Sequence, residues 1–70
     1  MSKARIEELK EKMKRNNESI QKLYEFYSFV SAKPESSVKP YVLSGIEHTI
    51  TNVQTELKSH QMEWSIYTNK

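Results

Sequence analysis

Residues 6–30, IEELKEKMKRNNESIQKLYEFYSFV, place Ile6, Leu9, Met13, Ile20, Leu23, Tyr27 and Val30 at alternating steps of three and four, with Asn16 holding the one polar place in the series. Residues 43–67, LSGIEHTITNVQTELKSHQMEWSIY, repeat the pattern with Leu43, Ile46, Ile50, Val53, Leu57, Trp64 and Tyr67, interrupted by His60. Such a step pattern is the a/d seam of a left-handed coiled coil. Two amphipathic helices follow, and the segment between them decides how they meet.

That segment, KPESSVKP over residues 33–40, carries both prolines of the chain. A residue before proline is pushed out of the helical region, so the first helix ends near Ala32, ahead of Lys33 and Pro34. Pro40 is pre-set for the first turn of a second helix. The boundaries expected are therefore helix 1 over about 2–32, a loop over 33–39 and helix 2 over about 40–68. Ser2 is the candidate N-cap of helix 1, and Glu7 and Glu8 favour the positive end of its dipole. Glu8 with Lys12, Glu11 with Arg15, and Glu18 with Lys22 are acid-first i,i+4 pairs, each contributing a few tenths of a kcal/mol. Helix 2 is intrinsically weaker. Gly45 and the β-branched Ile46, Thr49, Ile50, Thr51, Val53 and Thr55 lower its propensity, so it depends on packing.

A short loop between two amphipathic helices gives an antiparallel hairpin. With the seams facing, Val30 meets Leu43, Tyr27 meets Ile46, Leu23 meets Ile50 and Ile20 meets Val53. Asn16 then lies opposite Leu57, Met13 opposite His60, Leu9 opposite Trp64 and Ile6 opposite Tyr67. The two residue numbers in every pair share one total, so the eight layers close without a slip, over roughly 40 Å of rod.

Seventy residues form one domain, and a two-helix unit of this size buries little apolar surface. There is no cysteine for a disulfide or thiolate metal site, and the two histidines, His48 and His60, are twelve residues apart. A second chain is the remaining way to add core. The fold expected is all-α: an antiparallel two-helix coiled-coil hairpin that dimerises into a four-helix bundle.

The net charge is +2, from 11 basic and 9 acidic residues, too even a balance to identify a nucleic-acid binder. No stretch approaches the ~18 apolar residues of a membrane span, and no signal-peptide core is evident, so a cytoplasmic protein without membrane contact is expected. Asn17-Glu18-Ser19 matches a glycosylation triplet but falls mid-helix. The single glycine builds neither an oxyanion turn nor a phosphate loop, no cysteine nucleophile exists, and neither histidine sits in a Glu-x-x-His pattern. The chain is read as non-enzymatic, without cofactor or metal.

Four surface features remain. Asn16 and His60 make a polar layer in the seam that fixes register, or alternatively a pH switch through the imidazole, with Glu56 placed to hold the ring from the surface side. Lys10, Lys12, Lys14 and Arg15 form a basic stripe that would suit phosphates, although the interleaved Glu7, Glu8 and Glu11 point to a salt-bridged solvent face. Tyr24, Phe26 and Phe29, with Tyr41 and Val42, make the loop end apolar around much of its circumference. Either the loop folds over these rings through Val38 and Pro40, or they are an interface. Finally, the non-seam surface of helix 2 from His48 to Thr55 carries no formal charge, as interface cores do. The leading expectation is a protein-binding module (adaptor, chaperone or inhibitor) that also binds itself. Its rivals are a dimeric nucleic-acid-binding regulator using the basic stripe and a structural subunit of a larger assembly.

Overall fold

The computed structural model describes residues 3–69. Helix α1 spans Lys3–Ser31 and helix α2 spans Lys39–Thr68. The expected N-cap, Ser2, lies outside the described residues. At the end of α1 the Ala32 N–H donates to the Ser28 carbonyl at 3.1 Å and the Lys33 N–H to the Val30 carbonyl at 3.0 Å. The second bond is the tighter i→i−3 type that closes many helices, and Pro34 follows it directly.

α2 opens one residue before Pro40, which sits in its first turn. Val38 occupies the N-cap place and has no side-chain oxygen to offer, so the Ser36 hydroxyl takes the role, accepting the Lys39 N–H at 3.1 Å. The Lys39 ammonium turns back to the Lys33 carbonyl at 2.8 Å and to Glu35 at 2.9 Å, tying the loop to itself. Within α2, the hydroxyls of Thr49, Thr51, Thr55 and Thr68 each donate to the carbonyl four residues earlier, at 2.9 to 3.1 Å. The threonines are thus satisfied by their own helix.

The helices pack antiparallel as a rod of 52 × 14 × 14 Å. The rod exceeds the ~40 Å of the seam layers because both helices run past the outermost layers and the loop caps one end. Every one of the sixteen seam positions is buried or half-buried, with Leu9, Asn16, Ile46 and Ile50 the most enclosed. The core therefore runs the full length but is one layer thick. Bonds between the helices bracket the expected register. Arg5 reaches Glu63 near one end, Asn16 reaches Glu56 and His60 mid-rod, and Tyr24 and Tyr27 reach Gln54 and Glu47 toward the loop. No helix among the described residues is long and apolar enough to cross a membrane.

Candidate functional site

The register divides the rod into two flanks. Arg5 and Glu63 precede seam positions Ile6 and Trp64 by one residue, and their bond places these preceding positions side by side. Tyr24 and Gln54 follow seam positions Leu23 and Val53 by one residue, and Gln54 Nε2 donates to the Tyr24 hydroxyl at 3.3 Å on the other side. One flank therefore bears Phe26 and Phe29 of α1 together with Val42, Gly45 and Thr49 of α2. The opposite flank bears Tyr24 and Gln54.

Mid-rod, the side chains of Asn16 and His60 are directly bonded: His60 Nδ1 lies 2.9 Å from Asn16 Oδ1, and Asn16 Nδ2 donates to Glu56 Oε1 at 3.3 Å. An ionised carboxylate only accepts, so Glu56 must face the amide NH₂. Oδ1 then faces the imidazole and requires Nδ1 to carry the hydrogen. Glu56 does not bond the imidazole as the sequence suggested. Asn16 is only 8 % exposed and lies between the two groups.

At the end remote from the loop, the Arg5 guanidinium binds Glu63 through two bonds, Nε to Oε2 at 2.7 Å and Nη2 to Oε1 at 2.8 Å, and also contacts Glu8. This fork geometry is the strong form of an Arg–carboxylate pair. Tyr67 adds a hydroxyl donor to Glu63 at 3.0 Å. Arg5, and then Tyr67, hold the Glu63 carboxyl below its ordinary range, while Lys12 and then Arg5 do the same for Glu8. Glu63 in turn keeps the guanidinium more firmly protonated than usual. The sequence alone gives Arg5 no assigned partner across the rod. The signal for the clamp is that Arg5 and Glu63 lie on the same flank of the seam, offset along the rod by a distance that a long guanidinium side chain spans. Beside it, the buried indole Nε1 of Trp64 has no hydrogen-bond partner among the described residues.

The basic stripe is exposed and largely neutralised. Lys10 pairs with Glu7 at 3.5 Å, Lys12 with Glu8 at 3.3 Å and Arg15 with Glu11 at 3.7 Å, and Lys14 alone of the four has no acid within pairing distance among the described residues. Glu18 and Lys22, expected to pair, do not; an exposed pair gains too little to hold two long side chains together. His48 is exposed on the outer face of α2, apart from His60 in the seam. The described residues contain no cluster of metal-ligating side chains and no pocket.

At the loop end, Tyr24 and Phe26 are about half exposed, Phe29 is 59 % exposed, Tyr41 79 %, and Val42 is half-buried. The loop does not fold over them. Val38 and Pro40 are themselves exposed, and the Lys39 bonds commit the loop to its own backbone. Partial cover comes from Lys33, whose Nζ sits 4.2 Å from the centre of the Phe29 ring. Nearby, the Tyr27 hydroxyl donates to Glu47 at 2.9 Å, and the carboxylate raises the phenol above its ordinary pKa. No family model, curated protein or solved structure matches this chain.

Proposed function

We propose that this protein is a non-enzymatic protein–protein interaction module that self-associates into a four-helix bundle and presents a helical surface to another protein, as a small adaptor, chaperone or inhibitor. The observation that carries this reading is the uncovered aromatic cluster at the loop end: four rings near or above half exposure on a 70-residue chain. Exposed aromatic surface concentrated at one end of so small a chain is typical of association sites, and tyrosine and phenylalanine are enriched in interface cores. The uncharged stretch of α2 beside it supports the same use, since its threonine hydroxyls are already bonded internally and lose little on leaving water. The basic stripe supports nucleic-acid binding less well, because three of its four cations already have acid partners on their own helix.

The test is capture of partners from the native cell by wild type and by a Tyr24→Ser/Tyr41→Ser variant of equal helicity. A protein enriched by wild type and lost by the variant, at low and moderate salt alike, supports the reading. Retention of duplex DNA that falls steeply with salt, unaffected by the tyrosine changes, overturns it in favour of phosphate binding.

A further inference from the structure

We propose that the flank bearing Phe26, Phe29, Val42 and Gly45 is the face on which a second copy of this chain docks. The two hairpins lie loop beside loop, so that α1 of each runs along α2 of the other and its phenylalanines fill the space over the other's Gly45. This rests on the self-associating reading above and specifies its surface and orientation.

Gly45 is the first ground. It lies in a helix with ordinary negative φ, and a Cβ built on it meets nothing within 4 Å. Nothing inside the hairpin therefore requires glycine, although glycine weakens a helix interior. What glycine provides is a hollow in the outer surface of α2. In the antiparallel register, Phe26 and Phe29 stand at the same level of the rod on the same flank, so each copy carries both the knobs and the hollow. A twofold axis along the rod brings one onto the other. Thr49, one turn on, offers a methyl and a hydroxyl already bonded to the Gly45 carbonyl.

Charge selects the occupant and its orientation. On this flank α1 carries Arg5, Lys12, Arg15, Lys22 and Lys33, and its one acid, Glu8, is held by Arg5 and Lys12. The α2 strip carries Glu56, bonded to Asn16, and Glu63, clamped by Arg5 of its own chain, and no cation, so after these internal bonds the two strips still keep net charges of opposite sign. Loop-beside-loop docking lays the basic strip along the acidic one and brings Arg15 to the level of Glu56 in the other copy. With the loops at opposite ends the basic strip would face itself. Surface area leaves room for such a partner. The chain exposes 5368 Å², about 800 Å² more than the ~4,600 Å² expected of a compact monomer of its mass, as befits a two-helix rod whose flanks are uncovered.

The chain has no cysteine, so Ser37→Cys in the exposed loop gives a single spin-label site. Light scattering should report a dimer at micromolar concentration, and pulsed spin-label distances between the two loops should fall well below half the 52 Å rod. Gly45→Leu, which keeps a helix former in place, should raise the dimer Kd at least about tenfold, as should Phe29→Ser, while Tyr24→Ser on the opposite flank should not. A dimer with loop-to-loop distances near the rod length, or one indifferent to Gly45→Leu and Phe29→Ser, overturns this face while leaving self-association intact. A monomer at all concentrations overturns self-association itself, and the capture experiment judges the remaining reading separately.

Discussion

His60 and Asn16 meet across the seam with 2.9 Å between Nδ1 and Oδ1, and the amide passes the contact on to Glu56. The two polar interruptions in the heptad patterns are thus one structure. In this register a slip of one heptad would set Asn16 opposite Ile50 or Trp64 and His60 opposite Ile6 or Ile20, parting the bonded amide and imidazole. An unpaired buried polar group costs about 1–3 kcal/mol, which is large beside the total stability of a small domain. A cost of this size would let the pair select register, at some expense in stability relative to an all-apolar seam, which the following variants test.

The pair should behave as a unit in a double-mutant cycle. Asn16→Leu alone strands the His60 N–H and should lower stability by about 1–2 kcal/mol, whereas Asn16→Leu with His60→Leu removes both polar groups and should melt above wild type. Urea melts of the four proteins give the coupling. Additive single effects would show that the bond does not hold the layer.

The Arg5–Glu63 clamp predicts an acid limb. Glu63 and Glu8 have folded-state pKa values held down by their cationic partners, so the unfolded chain binds protons first as pH falls. Their contribution is complete above the ordinary carboxylate value and is lost as pH drops below about 4.5 through the lower folded values. Glu63→Gln should flatten that limb in stability measured from pH 6 to about pH 3, and Arg5→Gln should flatten it equally because either change dissolves the clamp. An unchanged slope in both would mean that the clamp does not persist in solution.

Tyr27 predicts the opposite limb. Its phenol donates to Glu47 and has a raised pKa, so its contribution is complete below the unfolded value near 10 and falls away as pH rises through the higher folded one. Tyr27→Phe should remove this alkaline loss while keeping the ring in the seam. The phenolate absorbance band gives an independent reading, since its midpoint in the folded protein should exceed that after denaturation.

The hairpin was legible in the sequence because steps of three and four over 25 residues leave no other face for the apolar side chains, and because Pro34 and Pro40 bound the break. The register was legible too, since the layers on both helices share one spacing. What lay beyond reading was carried by side-chain reach. Arg5 can pair with Glu8 on its own helix or with Glu63 across the rod, and it does both. Glu56 is one turn from His60 yet bonds Asn16, because the amide fills the space between them. The loop was ambiguous between covering the aromatic rings and leaving them bare, and Lys39 decided it by turning back to the Lys33 carbonyl.

Gly45 gives the prediction in which two energies oppose each other. Its backbone is helical and the space around its missing Cβ is open, so Gly45→Ala introduces no clash and reduces the freedom of the unfolded chain. In dilute solution, where the hairpin stands alone, this change should stabilise by about 0.5–1 kcal/mol. At higher concentration the same methyl stands in the hollow where Phe26 and Phe29 of a second copy would lie, and its effect on association should be unfavourable though smaller than that of leucine. Thermal melts across a hundredfold range of concentration separate the two effects. Wild-type Tm should rise with concentration by mass action, while that of Gly45→Ala should start higher and rise less. Two parallel curves with a constant gap would show that the hollow is not used, and a lower Tm for the alanine variant at every concentration would show that Gly45 is constrained within the hairpin itself.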